Sequence, residues 1–382
     1  MIGVKTLTMK KVFMFVNVDW FFFSHRLPIA QAAKNHNIEM SVYAEHTRIL
    51  DQKQIHGFKL LDSPLRRISK SKFHFIMEFI KAYKIIKRDK PNLIHAVTIK
   101  PIIVLGIISR LTSTPFIGSI SGLGPAFNSK TYFEKFRLFF LLKILGYIFL
   151  RKSVGIICQN SNDRDFFIRN GLFTKEEILL IHGSGVDLEQ YSPSKKRINA
   201  EKYVLMSSRI LSDKGIEDYC RAAEMVRLKI GNQIKFKLSG PIEPASSTSF
   251  SEDEIKELVH QYGVEYLGDR SDMPELLASA LLFVLPSFYS EGLPKVLLEA
   301  SASGIPIITT DHPGCRDAII NNETGLLVPA KDPELLAKAI LDLLSDHSLL
   351  IAMGKNGRSL AEKSFQDSTV VNKHYSLYQQ LL

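Results

Sequence analysis

Two glutamates in the second half of the chain, Glu291 and Glu299, are separated by seven residues and are the first candidates for chemistry. An apolar run over residues 281–286 predicts a buried strand before them. Pro294 favours the first turn of a helix after them, because proline has no N–H to leave unpaired. Glu299, one to two turns along that helix, could accept two hydroxyl hydrogens, as an acidic residue holds the diol of a ribose. The same spacing also fits two solvated glutamates on a surface helix.

Two cations follow an earlier predicted strand. Residues 203–207 form a short apolar strand, and Arg209 and Lys214 lie in the loop between it and an amphipathic helix over residues 216–230. A planar guanidinium and a point cation placed together would neutralise the charge that grows on a diphosphate leaving group as its bond breaks. An arginine and a lysine in a loop are also ordinary solvated surface charges, so the pair alone leaves both interpretations open.

These motifs, with the segment PGCRD at residues 313–317, resemble the C-terminal half of retaining glycosyltransferases of the GT-B fold, in particular the large bacterial family 4. The first half adds VDWFFFSHRLP at residues 18–28 and ISGLG at residues 120–124. Those segments are similar to the subgroup that builds O-antigen, capsule and lipid-linked glycans, including PglA-type N-acetylgalactosaminyltransferases. The resemblance covers nearly the whole chain.

The resemblance implies roles for residues on the donor side. Glu291 would orient the hydroxyls of the donor sugar near the reacting carbon. Arg209 and Lys214 would stabilise the departing diphosphate, assisted by the helix N-terminus at Gly292 and Leu293, where unpaired N–H groups favour an anion. Retention of the anomeric configuration is implied by the resemblance only.

Two further residues complete the predicted donor site. Glu299 would hold the ribose diol. Arg270 follows the predicted strand 264–268 and either lines a pocket for the base or is an exposed arginine of a turn.

The acceptor side is predicted in the first half. Asp19, His25 and Arg26 follow a predicted strand over residues 11–18; a carboxylate or imidazole there could take the proton of an acceptor hydroxyl, and Arg26 could meet a phosphate. Lys100 could touch the diphosphate from the other domain. His25 as a packing histidine, and Lys100 as a solvent-facing lysine before a helix, remain alternatives.

The predicted fold class is α/β, with two doubly wound Rossmann-like domains facing a central cleft. Strands and helices alternate through both halves, and 382 residues are too many for one typical core. A polar, basic stretch breaks the pattern and is interpreted as a linker. The predicted parts are an N-terminal domain (1–190), a linker (191–201), a C-terminal domain (202–366) and a helix (367–382) that, as the resemblance implies, crosses back.

The formal charge of +10 favours an anionic partner: nucleic acid, anionic lipid or a phosphorylated substrate. Residues 136–157 are strongly apolar and aromatic, but Lys143 interrupts the run, so an interfacial helix is predicted rather than a transmembrane one. Residues 70–90 could add a second basic, aromatic helix. Alternatively, both helices simply pack on the sheet. With no signal peptide recognised, we expect a cytoplasmic protein that is peripheral on the inner face of the cell membrane.

We expect no metal and no cofactor besides the nucleotide sugar, which is a substrate. The three cysteines have no spacing typical of disulfide frameworks or metal sites. The sequence Asp163-Arg164-Asp165 has a form that metal-dependent glycosyltransferases of another fold use, but here it opens a predicted helix, where acids complement the helix dipole.

The predicted activity is transfer of a hexose or N-acetylhexosamine from a UDP-sugar to a polyprenyl-diphosphate-linked saccharide. One alternative is a UDP-sugar 2-epimerase of the same fold. Another is a basic nucleic-acid-binding protein, although no recognition helix or aromatic basic strand is found. A Rossmann dehydrogenase would need a G-x-G-x-x-G turn, which is missing after residues 11–18. Many members of the resembled family carry His-x-His at the end of this strand, whereas this chain has His95 and Val97, so another group must do what the second imidazole does there.

Overall fold

The computed structural model describes residues 9–47, 58–67, 71–123, 132–149, 154–193, 201–244 and 246–382. The chain divides into two compact units, Met1–Ser184 with Ser368–Leu382, and Gly185–Asp367. Of the predicted linker, residues 194–200 lie outside the described residues, as do Gly124 of the ISGLG segment, Lys70, and residues 150–153 of the long apolar run. Tyr191, the first predicted linker residue, is buried in the core of the second unit.

The secondary structure alternates along the whole chain. The strands are β1 (Lys10–Val18), β2 (Ile38–Glu45), β3 (Lys59–Asp62), β4 (Leu93–Val97), β5 (Phe116–Ile120), β6 (Val154–Cys158), β7 (Ile178–Leu180), β8 (Tyr203–Ser207), β9 (Lys235–Ser239), β10 (Glu265–Tyr266), β11 (Leu282–Leu285), β12 (Ile307–Thr310) and β13 (Gly325–Val328). The helices are α1 (Asp19–His25), α2 (Leu27–Ala32), α3 (Lys72–Asp89), α4 (Ile99–Thr112), α5 (Tyr132–Phe149), α6 (Ser161–Arg169), α7 (Ile216–Ile230), α8 (Glu252–Tyr262), α9 (Met273–Ser279), α10 (Lys295–Ala302), α11 (Pro333–Ser345), α12 (His347–Leu360) and α13 (Asp367–Leu381).

The first unit contains a parallel sheet in the order β3-β2-β1-β4-β5-β6-β7. Its strands alternate between two buried faces: Phe13 and Phe15 of β1 join one core, and Val12, Met14 and Val16 join the other. Helices α3 to α6 cover the first face, and α1, α2 and α13 cover the second. Strands buried on both faces are typical of doubly wound α/β sheets.

The second unit contains a parallel sheet in the order β10-β9-β8-β11-β12-β13. One continuous core joins this sheet to the helices around it. The predicted fold class, two parallel doubly wound α/β sheets, is therefore confirmed. Ligand-binding loops of such sheets follow the carboxyl ends of the strands, so those ends define where the candidate residues must be sought.

Helix α13 is tied to the first unit by buried polar contacts as well as by apolar packing. Tyr378 Oη lies 2.7 Å from His95 Nδ1, and the hydroxyl of Tyr375 donates to the carbonyl of Ile29 at 2.7 Å. The other ring nitrogen of His95 lies 2.6 Å from the hydroxyl of Ser119. Burial lowers the pKa of His95 well below its ordinary value, so this fully buried histidine is neutral and structural.

We expect Tyr378→Phe to lower the stability of the first unit by about 1–2 kcal/mol, because it leaves a buried ring nitrogen of His95 without its partner. The stability of the first unit can be measured by urea unfolding. The fluorescence of Trp20, a residue of α1 and the single tryptophan of the chain, follows the transition. Tyr147→Phe, at an exposed tyrosine of α5, is the matched control. An unchanged midpoint in Tyr378→Phe would show that this contact adds nothing.

Candidate active site

Close backbone packing brings the loops of the second unit together at the carboxyl edge of its sheet. Gly215 has φ of +77°, and a Cβ there would lie 2.2 Å from the carbonyl oxygen of Pro286. Gly314 has φ of +86°, and a Cβ there would lie 2.2 Å from the carbonyl oxygen of Gly292. Only glycine allows these approaches with this backbone conformation. The loops after β8 and β12 therefore both pack against the segment after β11, which carries Glu291.

Lys214 and Glu291 form an ion pair in this packed region. Lys214 ends a short 3-10 turn, Ser212–Lys214, and its Nζ lies 2.5 Å from Glu291 Oε1. The two side chains are only 6% and 20% exposed. The structure thus brings together the predicted diphosphate cation and the residue predicted to orient the donor sugar.

Arg209 forms a second ion pair, with a residue that the sequence analysis did not select. Its Nη1 lies 2.5 Å from Oε2 of Glu243, in the loop after β9. Burial by itself lowers the pKa of Arg209, but Glu243 outweighs it, aided by Tyr289 and Glu291, and the pKa is raised. The ring of Tyr289 lies under both cations, with its centroid 5.5 Å from Arg209 Cζ and 5.0 Å from Lys214 Nζ.

Helix α10 starts after the predicted donor loop. Its first residue is Lys295 and its N-cap is Pro294, in agreement with the predicted start near Pro294. Gly292 and Leu293 are buried in the loop that precedes it. Binding of a phosphate by their N–H groups stays a prediction.

Glu299 is a largely buried residue of α10 rather than a solvated surface glutamate. Burial raises the pKa of Glu299. Two contacts lower it: Lys295, whose Nζ lies 3.8 Å from Glu299 Oε1, and a hydrogen bond from Tyr191. Asp367, the first residue of α13, adds a repulsive charge. A carboxylate in this setting can accept hydrogen bonds from a ligand only at its remaining lone pairs.

Arg270 lies apart from this cluster. It is exposed in the turn after β10, and its guanidinium pairs with Asp272 at 2.6 Å. This placement corresponds to the alternative of an exposed turn arginine. A role in binding the base stays a prediction.

In the first unit, Asp19 is buried at the start of α1. Its Oδ1 accepts hydrogen bonds from the N–H of Trp20 at 2.8 Å and the hydroxyl of Thr47 at 2.7 Å, and its Oδ2 accepts from the N–H of Thr47 at 3.0 Å. Asp19 therefore fixes the segment after β2 to the start of α1. A role as general base stays a prediction.

His25 and Arg26 are neighbours with different surroundings. His25 is half-buried, stacks on Phe21 with ring centroids 4.3 Å apart, and its Nδ1 lies 2.5 Å from the hydroxyl of Ser24. Arg26 is fully buried; it donates to the carbonyl of His25 at 3.1 Å and to the hydroxyl of Ser121 at 3.3 Å. Burial lowers the pKa of Arg26 to about 10, so it stays charged at neutral pH.

Lys100 is neither solvent-facing nor free at the sheet edge. Its Nζ lies 2.8 Å from Oε2 of the buried Glu78 of α3 and donates to the carbonyl of Arg66 at 2.5 Å. The ring of Phe75 lies 5.9 Å from the same nitrogen. The structure therefore places Lys100 in an ion pair that ties α4 to α3, and contact with a diphosphate would have to compete with that pair.

Sequence reasoning missed Glu243, Tyr289 and Tyr191. Glu243 is 34 residues from its partner Arg209, and no spacing rule links them. Tyr289 could have been found, because it lies two residues before Glu291 in the loop that leaves β11. Tyr191 could not, because its bond to Glu299 depends on how residues far apart in sequence pack.

No group of three or more histidine, cysteine, aspartate and glutamate side chains able to hold a metal is found in the described ranges. Asp163 instead belongs to the N-terminal cap of α6, where Asn160 Oδ1 accepts from its N–H at 2.7 Å. Across the described residues, no helix combines the length and apolar composition that crossing a bilayer requires.

Two families of known proteins match the chain, one in each of its two units. Residues 188–360 match the family model of glycosyl transferases group 1, and residues 11–160 match the glycosyl transferase 4-like model. Among curated relatives, the N,N'-diacetylbacillosaminyl-diphospho-undecaprenol alpha-1,3-N-acetylgalactosaminyltransferase of Campylobacter jejuni is 26% identical over 94% of this chain and 95% of its own. The UDP-Gal:alpha-D-GlcNAc-diphosphoundecaprenol alpha-1,3-galactosyltransferase of Escherichia coli is 26% identical over 78% of each.

Solved structures agree at the level of the fold. HepE of Anabaena, in complex with UDP, superposes with a TM-score of 0.77 at 19% identity, covering 98% of this chain and 100% of its own. Sucrose-phosphate synthase of Thermosynechococcus elongatus superposes with a TM-score of 0.76 at 23% identity, covering 97% of this chain and 99% of its own.

The fold is that of the GT-B glycosyltransferases, and the two family models together span most of the chain. The chain belongs to the glycosyltransferases, with a 4-like domain in its first unit and a group 1 domain in its second, and the resemblance found in the sequence is confirmed.

A pH dependence follows from the carboxylates around α10. Burial raises the pKa of Asp367 to about 6, with Asp187 adding to the shift and Lys295 opposing it. Because an unfolded aspartate titrates near 3.9, Asp367 favours the folded state fully below about pH 4, and this contribution is lost as the pH rises through about 6.

We therefore expect Asp367→Asn to be more stable than the parent at about pH 7.5, by at most about 3 kcal/mol, and the difference to vanish near pH 4. Calorimetric midpoints across this range test it, with Asp342→Asn, an exposed residue of α11, as control. A variant less stable at neutral pH would show instead that the charge of Asp367 at the N-terminus of α13 is favourable.

Proposed function

We propose that this glycosyltransferase transfers a hexose or N-acetylhexosamine, with retention, from a UDP-sugar to a saccharide linked to polyprenyl diphosphate in the assembly of bacterial surface glycans. The observation that carries the proposal is the cluster of Arg209, Lys214, Glu291 and Tyr289 at the carboxyl edge of the second sheet. The two curated relatives, both named as transferases to undecaprenyl-diphosphate-linked sugars, support the acceptor class.

The cluster supplies what cleavage of a sugar–diphosphate bond needs. As the bond from the anomeric carbon to the diphosphate oxygen breaks, charge grows on that oxygen, and the two cations of the cluster would stabilise it. Lys214 also holds the carboxylate of Glu291 in one place, where it can accept hydrogen bonds from hydroxyls of the donor sugar. The acceptor oxygen then bonds to the same carbon and releases its proton; Asp19 and His25 are the proposed groups of the first unit for this proton.

The nucleoside and the acceptor phosphates are assigned to neighbouring residues. Glu299 of α10 would hold the ribose diol, the N–H groups of Gly292 and Leu293 would meet the diphosphate, and Arg270 would reach the base. Arg26 contributes positive charge to the first unit, where an acceptor diphosphate would be attracted, and Lys100 would reach that diphosphate only by exchanging its partner Glu78. The proposal includes no metal and no cofactor, because side-chain cations perform the charge neutralisation.

The first unit also carries a surface suited to an anionic membrane. The membrane surface, as we define it, consists of exposed residues of two helices: Phe73, Phe75, Ile76, Met77 and Ile80 of α3, and Phe136, Phe139, Phe140, Ile144 and Tyr147 of α5. Phe73 is 69% exposed and Phe139 is 55% exposed. Exposed basic residues accompany them on the same helices: Lys72, Lys81, Lys84, Lys87, Arg88, Arg137 and Lys143. Aromatic side chains among cations are typical of interfacial helices that bind anionic lipid.

The position of this surface fits a lipid-linked acceptor. Helices α3 and α5 cover the same face of the first sheet as α4, the helix that carries Lys100. The ring of Phe75, part of the membrane surface, lies 5.9 Å from Lys100 Nζ. We therefore propose a cytoplasmic protein bound peripherally to the inner face of the membrane.

The activity test incubates the protein with UDP- and GDP-sugars and with undecaprenyl diphosphate carrying one sugar. We expect a mass increase of one hexose or N-acetylhexosamine on the lipid with a UDP-sugar, and an α-anomeric product. Arg209→Gln should lower kcat/KM by about 10²–10³-fold, because one donor to the leaving group is lost. Lys256→Gln, at an exposed lysine of α8, is the control. No transfer with any donor together with tight RNA binding, or an unaffected Arg209→Gln enzyme, would refute the proposal.

The membrane surface predicts a separate result. The double variant Phe139→Ser, Phe140→Ser should bind vesicles containing phosphatidylglycerol at least about 10-fold more weakly, because two exposed rings no longer enter the interface. Cosedimentation measures the affinity, and Leu228→Ser, at an 82% exposed leucine of α7, is the control. Equal binding by both variants, or binding to neutral vesicles as strong as to anionic ones, would exclude this surface as the docking site.

A further inference from the structure

The arginine that the proposed function assigns to the diphosphate is already occupied by a carboxylate of the same chain. Arg209 Nη1 lies 2.5 Å from Glu243 Oε2, and the two side chains are 24% and 17% exposed. Glu243 belongs to the loop that follows β9 and is not part of the Glu291 and Glu299 pair. A nucleotide diphosphate and Glu243 would therefore compete for one guanidinium.

The loop that carries Glu243 is held next to Arg209 independently of the ion pair. The N–H of Ile210 donates to the carbonyl of Pro241 at 2.9 Å, and the N–H of Ser212 donates to the carbonyl of Thr248 at 2.8 Å. The N–H of Glu243 donates to the hydroxyl of Ser249 at 3.3 Å. When Arg209 turns to a ligand, Glu243 consequently stays close by, and its charge continues to act on whatever anion binds there.

We propose that Glu243 is an internal counterion that the donor diphosphate displaces from Arg209 and that retakes Arg209 when the nucleotide product leaves. This inference rests on the proposed function, and it names a residue that sets the affinity for the nucleotide. Without the counterion, a half-buried arginine would bind the diphosphate more tightly and release it more slowly. A carboxylate next to a bound dianion raises the free energy of the bound state and favours dissociation.

The second ion pair of the site behaves differently, because it is less accessible. Lys214 is only 6% exposed, so its pair with Glu291 remains in place while the more exposed Arg209 exchanges partners. The ring of Tyr289 contacts both cations and keeps Arg209 near Lys214 during the exchange. The Lys214 and Glu291 pair thus positions the sugar-binding glutamate, and the Arg209 and Glu243 pair is the one that exchanges.

The test measures binding of UDP, GDP and inorganic pyrophosphate to the full chain by calorimetry. Glu243→Gln keeps the size of the side chain and its ability to form hydrogen bonds but removes its charge. The Kd for UDP and the Kd for pyrophosphate should therefore fall by about 3–10-fold at low salt, and by less at high salt. The KM for the sugar donor should fall with it. The control is Glu252→Gln, at an exposed glutamate of α8 paired with Lys256. In the Arg209→Gln background, Glu243→Gln should give a much smaller gain, because the two residues are coupled.

A gain in affinity cannot come from a damaged fold, so the predicted direction separates the counterion from a merely structural role. If Glu243→Gln binds UDP and pyrophosphate equally or more weakly than the parent, Glu243 only supports its loop and the inference is overturned. That result would leave the proposed function intact as long as the parent still binds UDP and transfers sugar. If neither protein binds any nucleotide or pyrophosphate, the proposed function and the inference fail together.

Discussion

The arrangement of the proposed donor site depends on one buried ion pair, Lys214 with Glu291. An ammonium taken out of water is costly unless an anion meets it, and removing one partner of such a pair typically costs about 3–5 kcal/mol. A pair of this kind adds little net stability compared with apolar residues; what it specifies is geometry. Here it can form only because Gly215 and Gly314 allow backbone to pack on backbone, which brings the loops after β8 and β12 onto the loop after β11.

The charges of the cluster are balanced pair by pair, although the proposed ligand is an anion. Arg209 with Glu243 and Lys214 with Glu291 leave no excess cation in the cluster, and the Tyr289 ring lies under both cations. In the proposed function, an anion would therefore bind by exchange and not by simple attraction. Such a site can hold a diphosphate strongly while its charge is growing in the transition state and still release the product, which a site of unpaired cations could not do as readily.

The sequence predicts local structure and the sheet edge well, because both depend on short-range patterns. The helix predicted over residues 216–230 is α7 at the same bounds, and the strand predicted over 281–286 is β11, Leu282–Leu285. The Glu291 and Lys214 neighbourhood follows from the rule that parallel strands end at one edge. What the sequence could not predict is which polar side chains contact each other. Arg209 pairs with Glu243, Lys100 pairs with Glu78, and Glu299 forms a hydrogen bond with Tyr191. Those partners depend on the packing of segments with no common periodicity.

The two units handle positive charge in opposite ways, and this bears on the acceptor side. Arg26 is sealed in the interior of the first unit, and no carboxylate of the described residues pairs with it; a carbonyl, a hydroxyl and the Phe21 ring surround it instead. Its charge also disfavours protonation of His95 and His374, whose pKa values burial already lowers. A fully buried guanidinium cannot touch an acceptor phosphate without rearrangement, but its uncompensated field still reaches the sheet edge. In the proposed function, Arg26 would therefore act on an anionic acceptor through electrostatic potential, and the membrane surface of α3 and α5 would bring that acceptor to the first unit.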